Sequence, residues 1–134
     1  MKNLKHVRLF EEFNVLTKQR LIDVFVCALE GGSNNWYFIK NIPKEISEIK
    51  KSKNMAFSEA IGEYVLTGGQ VEICDVEDED EVLGYVNMDT ILDAINLMKE
   101  KYPQNYTNIV NEEDDADDAD IFFQLAVMGK VVFG

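Results

Sequence analysis

The sequence predicts a single α+β domain, in which an antiparallel sheet of two hairpins is covered by two or three helices. Two pairs of short apolar runs are separated by turn residues, and two later segments carry apolar residues at helical spacing. A chain of 134 residues, of which 46% are hydrophobic, suits one compact domain and is too apolar for a disordered chain. The domain is expected to span residues 1–134, with residues 1–12 as a candidate flexible arm.

The first half of the chain predicts the first hairpin. Residues 4–13 fit either a short amphipathic helix or an extended arm, because their apolar residues suit both. Residues 20–29 are rich in β-branched and apolar side chains and predict a buried strand. The turn residues at positions 31–35 precede a second apolar run at residues 36–39, so the two runs are expected to pair. Residues 45–54 are polar and lysine-rich, and predict a loop or an exposed helical turn.

A helix and a second hairpin are predicted next. Apolar residues recur on one helix face at Phe57, Ala60, Ile61, Tyr64 and Val65. Asn54 or Ser52 is the candidate cap at the start of this helix, and Gly68 and Gly69 follow its end. Residues 70–76 and 81–86 then predict two paired strands, joined by an acidic turn at residues 77–80.

The last third predicts helices around a second acidic tract. Apolar residues at Ile91, Ala94, Ile95, Met98 and Tyr102 mark a helix. Asn87 or Asp89 is expected to cap that helix, and Pro103 to stop it and open a short one. Residues 111–120 are acidic and lead into residues 121–128, which predict a buried helix because they are apolar nearly all round. Gly129 closes it, and Val131–Phe133 predict an edge strand that can pair across a homodimer.

Charge is the unusual feature of this sequence. The formal net charge is −12, from 13 basic and 25 acidic residues. Residues 1–55 hold 10 basic and 6 acidic residues, whereas residues 56–134 hold 3 basic and 19 acidic residues. Direct binding to nucleic acid or to an anionic membrane is therefore not expected, because phosphate groups attract clustered lysine and arginine. The acidity favours either solubility through self-repulsion or contact with a basic partner.

Catalytic patterns are weak in this sequence. His6 is the single histidine, and it lies at a terminus where a base is difficult to hold in place. Cys27 and Cys74 lie in apolar segments and are expected to be buried, reduced thiols, which also favours the cytoplasm. No phosphate-binding glycine motif is present. A non-enzymatic protein without a cofactor is the prediction.

Divalent-cation binding is the alternative function. Residues 78–81 and 114–120 supply carboxylates, but neither stretch contains the glycine and spaced glutamate of a calcium-binding loop. On a helix, Asp114 and Asp117, or Asp115 and Asp118, would share a face and could hold one ion. Aspartates are also favoured at the start of a helix, where their charge meets the positive end of the dipole. Helix capping is therefore the stronger interpretation, and no metal site is assigned.

The C-terminal third resembles a group of small bacteriophage and prophage proteins. The resemblance covers roughly residues 85–134 and is carried by the pattern Leu97-Met98-x-x-Lys101-Tyr102-Pro103 followed by Asp117-x-x-Asp120-Ile121-Phe122-x-Gln124-x-Ala126-x-x-Gly129-x-Val131-x-x-Gly134. It implies a phage or prophage setting. It implies no chemistry and no functional residue, and a helix cap would equally explain the aspartates in the pattern.

The function expected from the sequence is that of a small phage-associated accessory protein in the cytoplasm. It would act through acidic contacts with a basic protein surface, and the sharpest version is a nucleic-acid mimic that blocks a host nucleic-acid-binding protein. The carboxylates expected to form the contact are Glu77, Asp78, Glu79, Asp80, Asp114, Asp115, Asp117 and Asp118.

Overall fold

The computed structural model describes residues 16–33 and 35–133 and confirms the α+β class. In chain order the helices are α1 (Lys18–Cys27), which continues into a π-helical turn (Ala28–Gly32), α2 (Lys44–Lys53), α3 (Phe57–Leu66), α4 (Met88–Lys101), α5 (Pro103–Val110) and α6 (Ala116–Met128). The strands are β1 (Tyr37–Lys40), β2 (Val71–Asp75) and β3 (Asp78–Val86). The predicted helix or arm at residues 4–13, the arm at residues 1–12 and His6 lie outside the described residues.

The sheet has three antiparallel strands in the order β1-β2-β3. The predicted hairpin of β2 and β3 is confirmed, although its turn is tighter than predicted, because Asp75 already pairs with Asp78. β1 joins the other side of β2, with Tyr37 opposite Asp75 and Lys40 opposite Glu72. The sheet thus contains one hairpin and one added strand instead of the two predicted hairpins.

The predicted strand at residues 20–29 is wrong, since this segment forms α1 and the first part of the π-helical turn. Its buried residues lie at positions 21, 22, 24, 25, 28 and 29, a spacing that also forms one helix face. The Thr17 hydroxyl accepts a hydrogen bond from the Arg20 amide at 3.1 Å and caps the helix start. A short apolar run fits a buried strand as well as a helix, so the cap and the packing decide the outcome.

Helix α2 is longer than the loop or exposed helical turn predicted at residues 45–54, and α3 begins at a residue other than those predicted but ends before Gly68 as expected. Residues 45–54 form most of the ten-residue helix α2, of which Ile46 is the buried residue. Neither Ser52 nor Asn54 caps α3: Asn54 ends α2 in the left-handed conformation with φ of 51°, and α3 starts after Ala56. Glu59 Oε1 accepts a hydrogen bond from the Ala56 amide at 3.4 Å, which supplies part of the missing cap.

The remaining predicted helices are confirmed. α3 covers the predicted apolar face, and α4 is capped by Asn87, whose side chain accepts a hydrogen bond from the Thr90 amide at 3.0 Å. Pro103 opens α5. α6 ends at Gly129, which adopts the left-handed conformation with φ of 74°.

Helix α6 is the centre of the core. It packs against α1, α4, α5, β3 and the π-helical turn, which enclose the helix on most of its faces. The Phe25 ring meets Phe122 and Phe123 edge-on, at centroid distances of 6.1 and 5.8 Å. Gly84 on β3 lies against the end of α6, since a Cβ there would stand 2.0 Å from the carbonyl oxygen of Val127. The sequence prediction of a buried final helix is confirmed.

The predicted edge strand at residues 131–133 is wrong. Gln124, fully buried on α6, accepts hydrogen bonds from the Val132 and Phe133 amides and donates one to the Phe133 carbonyl, each at 2.8 Å. The Phe133 ring stacks on Trp36 at 5.1 Å. These contacts fold the segment back onto its own core, so it provides no edge for pairing across a homodimer.

Gly32 in the π-helical turn allows the start of α6 to approach. A Cβ at Gly32 would lie 2.2 Å from the carbonyl oxygen of Ala116, whereas a Cβ at Gly31 would meet nothing within 4 Å. We expect Gly32→Ala to lower the free energy of unfolding by about 3 kcal/mol, because backbone atoms must move apart. Gly31→Ala should change it by less than about 1 kcal/mol, in either direction.

Chemical denaturation followed by the fluorescence of Trp36, the single tryptophan, measures both values. Trp36 is buried, so its emission reports loss of the core. Equal stability of the two variants would contradict the close approach at Gly32.

Glu63 on α3 holds helices α1 and α2 in place. Its Oε1 atom accepts hydrogen bonds from Lys18 Nζ at 2.8 Å and Lys53 Nζ at 2.6 Å, and its side chain is 9% exposed. The hydrogen bonds from Lys18 and Lys53 lower the pKa of Glu63 below its ordinary value of 4.5. A lowered pKa stabilises the folded state above the unfolded-state pKa, and this contribution is lost as the pH falls through the folded-state pKa.

We therefore expect the wild-type protein to lose more stability than Glu63→Gln as the pH falls from about 6 to about 3. Denaturation series at several pH values measure the difference, with Glu48→Gln, an exposed carboxylate on α2, as the control. Parallel pH profiles for wild type and Glu63→Gln would contradict this role of Glu63.

Candidate protein-binding surface

The two acidic tracts predicted to bind a partner lie in different environments. Residues 77–81, here called the acidic hairpin, occupy the β2–β3 turn and the start of β3, and all five side chains are exposed. The second tract, residues 112–120, runs from the loop before α6 into its first turns. It mixes exposed, half-buried and buried carboxylates.

The acidic hairpin lies where the β2–β3 register is irregular. Asp75 pairs with Asp78, and the next paired residues are Cys74 and Val82. Glu79, Asp80 and Glu81 thus have no opposite residue on β2 and bulge out of the ladder. The turn is held by short local bonds: the Glu77 amide donates to Asp75 Oδ1 at 2.8 Å, and the Asp80 amide donates to Asp78 Oδ1 at 3.1 Å.

Few cations neutralise the acidic hairpin. Lys40 on β1 approaches Asp80 Oδ1 at 3.5 Å, and the Asp80 side chain remains 89% exposed. Partial desolvation lowers the pKa of Lys40, but its hydrogen bond to Asp80 together with the negative charges of Asp80 and Glu72 outweighs this effect and raises the pKa above its ordinary value. Among the described residues, Glu79 and Glu81 take part in no ion pair. This surface therefore keeps most of its negative charge.

Most carboxylates of the second tract support the fold. Asp114 forms an ion pair with Arg20 of α1, in which the side chains are 10% and 13% exposed, and Arg20 Nε also donates to the Ile109 carbonyl at 3.2 Å. Asp120 accepts hydrogen bonds from Ser33 Oγ at 2.6 Å and Trp36 Nε1 at 2.8 Å. These two aspartates join the loop and α6 to the first part of the chain.

Asp115 and Asp118 cap helix α6 reciprocally. Asp115 Oδ1 accepts a hydrogen bond from the Asp118 amide, and Asp118 Oδ2 accepts one from the Asp115 amide, both at 3.0 Å. The bond from the Asp118 amide lowers the pKa of Asp115. Asp118 is 4% exposed and also accepts hydrogen bonds from Asn105 Nδ2 at 2.7 Å and Asn108 Nδ2 at 3.3 Å. Asp117 alone of Asp114, Asp115, Asp117 and Asp118 is both exposed and outside these contacts.

The geometry of the second tract gives no support to a divalent-cation site. Asp115 and Asp118, which share the i, i+3 spacing, use their oxygens on backbone amides and asparagine side chains. Within residues 16–33 and 35–133, no group of three or more His, Cys, Asp or Glu side chains is arranged to hold a metal ion. The carboxylates here act as caps and as anchors between elements.

The outer face of the sheet carries apolar side chains next to the acidic hairpin. Phe38, Cys74 and Val82 lie in one row across the three strands, and Lys40, Glu72 and Tyr85 in the next. A bulge at Leu83 places Val82 and Tyr85 on the same face. In a regular strand, two residues at i and i+3 would point to opposite faces. Phe38 is 40% exposed, Val82 42% and Tyr85 45%, whereas Cys74 between Phe38 and Val82 is fully buried.

This face is the largest concentration of exposed apolar side chains that the structure describes. Seven large apolar residues are exposed, and five of them lie on the strands or within two residues of a strand end: Phe38, Ile42, Val76, Val82 and Tyr85. Scattered exposed apolar residues are ordinary, but a contiguous group beside charged residues is typical of a contact surface. The sequence prediction did not include these side chains: the bulge at Leu83 is not visible in the spacing of Val82 and Tyr85, and an aromatic run such as that at Phe38 is typical of a core strand.

The two cysteines are unpaired, as predicted. Cys74 is buried and Cys27 half-buried. Burial raises the pKa of both thiols, and Glu72 raises that of Cys74 further while Asp114 does so for Cys27. A raised pKa keeps a thiol protonated and weakly nucleophilic.

Comparison with known proteins gives no match: no family model, no curated protein and no solved structure is significantly similar to this chain. Among the described helices, none is both long and apolar enough to cross a bilayer. The surface chemistry of the sheet and its hairpin is accordingly the basis for a functional assignment.

The structural role of the second tract can be measured by two single substitutions. We expect Asp118→Ala to lower the free energy of unfolding by about 2–3 kcal/mol, because it leaves the half-buried donors of Asn105 and Asn108 and the Asp115 amide without this partner. Asp117→Ala on the same helix turn should cost less than about 1 kcal/mol, since it removes only a favourable charge near the helix start.

Urea denaturation monitored by Trp36 fluorescence measures both losses. If Asp117→Ala were as costly as Asp118→Ala, the division of this tract into structural and exposed carboxylates would be refuted.

Proposed function

We propose that the protein is a non-enzymatic accessory protein that binds a basic surface of another protein through its acidic hairpin. The observation that carries this proposal is the run of five consecutive exposed carboxylates at residues 77–81. Residues 79–81 have no register partner on β2, and Lys40 is the single ion-pair partner of the hairpin among the described residues. Unpaired carboxylates in this density repel one another, and a cationic partner relieves the repulsion.

Three of the predicted contact residues in the second tract are not expected to bind the partner. Asp114, Asp115 and Asp118 are engaged in capping and in ion pairing, so their charges are less available to a partner. Asp117 keeps an exposed side chain and remains a candidate contact. All five carboxylates of the acidic hairpin are the principal binding residues in this proposal, and Asp78 also holds the turn through its bond from the Asp80 amide.

A nucleic-acid-binding protein is the partner class that the charge distribution favours. Residues 56–134 carry 19 acidic and 3 basic residues. This segment is therefore strongly negative, as the phosphate backbone of a nucleic acid is. The phage or prophage setting and the cytoplasmic location are part of the same proposal, and the resemblance of residues 85–134 and the reduced cysteines support them. In this setting the protein would occupy the nucleic-acid site of a host protein.

The test compares two variants with the same net charge. In the hairpin variant, Glu77, Glu79 and Glu81 become Gln and Asp80 becomes Asn; in the control variant, the exposed residues Glu45, Glu48, Glu112 and Glu113 become Gln. Wild-type protein should capture a nucleic-acid-binding protein from a bacterial lysate at about 50 mM salt and lose most of it at about 200 mM. The hairpin variant should capture it at least about tenfold less, whereas the control variant should match wild type.

Added duplex DNA or RNA identifies mimicry, because it should displace the captured protein from the wild-type bait. The proposal would be overturned if the amount of captured protein changed neither with salt nor when the hairpin variant replaced the wild type. Equal losses from the hairpin and control variants would show that net charge alone, and not the acidic hairpin, determines binding.

A further inference from the structure

The acidic hairpin and the apolar outer face of the sheet form one continuous surface. Asp80 of the acidic hairpin accepts a hydrogen bond from Lys40 on β1. Lys40 and Glu72 lie in the next row of the same sheet face as Phe38 and Val82. Cys74 lies in the centre of the Phe38–Val82 row, and Glu72 lies two residues before it on β2, on the same face of the sheet. Carboxylates thus border the Phe38–Val82 row on two sides, with the acidic hairpin toward the turn and Glu72 in the row farther from it.

We infer that this combined surface binds a cationic amphipathic segment of the partner, whose apolar side chains cover Phe38, Val82 and Tyr85 while its lysine or arginine residues meet the acidic hairpin. This inference rests on the proposed function and specifies the chemistry of the partner. A purely cationic partner would leave three apolar side chains, each about two-fifths exposed, in contact with water. Covering them contributes binding free energy that salt does not screen.

A second copy of the chain is a poorer occupant of the same surface. A symmetric dimer through this face would place the acidic hairpins and Glu72 side chains of both copies in one interface. Two Lys40 side chains would be the cations available to offset them among the residues of this surface. Charge complementarity therefore favours a basic partner over self-association.

The probes are three labelled synthetic peptides of equal length, followed by fluorescence anisotropy. One is an amphipathic lysine–leucine peptide, the second replaces every leucine by serine at the same charge, and the third replaces every lysine by glutamine. Phe38→Ser is the test variant, and Phe57→Ser is the matched control, because Phe57 is 39% exposed and lies on α3, which packs mainly against α1 and α2. Tyr85→Ser is a second test variant, and circular dichroism verifies the fold of each.

We expect the lysine–leucine peptide to bind most tightly. Phe38→Ser and Tyr85→Ser should each weaken its binding about tenfold, a loss typical of an apolar anchor in a contact surface. They should change the binding of the lysine–serine peptide by less than about twofold, and Phe57→Ser should change neither. The hairpin variant should weaken both lysine peptides and reduce their salt dependence.

The two proposals fail in different ways. If the lysine–leucine and lysine–serine peptides bind alike and Phe38→Ser and Tyr85→Ser have no effect, the amphipathic partner is refuted and the acidic hairpin stands. If the hairpin variant binds both lysine peptides like wild type, the proposed function is refuted, and the inference falls with it. A wild-type dimer that Phe38→Ser dissociates would show that a second copy covers this face, which also overturns the inference.

Discussion

Enclosure of helix α6 is the constraint on which the rest of the structure depends. Eight of its thirteen residues are buried, and they face several directions, so the helix is stable only with neighbours around it. α1, α4, α5 and β3 supply those neighbours, and Gly32 and Gly84 allow backbone to approach both ends of the helix. Its polar groups find hydrogen-bond partners inside this enclosure. Gln124 donates a hydrogen bond to the Phe133 carbonyl, and Asp120 accepts hydrogen bonds from Ser33 and Trp36. The position of the sheet follows, because β3 must lie along α6.

The enclosure also divides the acidic residues into two kinds. A helix that starts in a crowded region leaves several backbone amides without partners, and carboxylates are well suited to accept their hydrogen bonds. Asp115 and Asp118 meet this need, so they are tied to α6 itself. The acidic hairpin lies at the far end of β2 and β3, where short local bonds already hold the turn. Its charge contributes little to the fold that the structure shows and is available for contact.

Elements with one dominant local pattern were predictable from the sequence. α3 and α4 each have a long apolar face, and the β2–β3 hairpin has two strand-like runs on either side of an acidic turn. The start of α3 was the exception, because Ala56 offers no capping side chain. α1 was not predictable in this way, because its apolar run suits a strand as well as a helix and Thr17 was not recognised as a cap. The pairing of β1 depends on a partner more than thirty residues away, which local pattern does not encode.

The candidate surface was predictable only in its charge. Five adjacent acidic residues between two strands indicate an exposed turn, and the structure places them so. The apolar half of the surface depends on the bulge at Leu83, which shifts Tyr85 onto the face of Val82. A regular strand would place these two side chains on opposite faces, since alternate residues point the same way. No composition or spacing argument locates such a bulge in advance.

In the free protein, the negative charge of the acidic hairpin protects the exposed apolar side chains of the sheet face from self-association. An open sheet face with exposed aromatic residues, next to strand edges, favours unwanted association with other copies. The acidic hairpin opposes this, because its bulge interrupts the ladder and its carboxylates repel the same residues on a second molecule. The same carboxylates attract a surface of opposite charge, so the property that keeps copies apart also selects the partner. A cationic amphipathic segment satisfies both halves of the surface at once, since it neutralises the hairpin and removes Phe38, Val82 and Tyr85 from water.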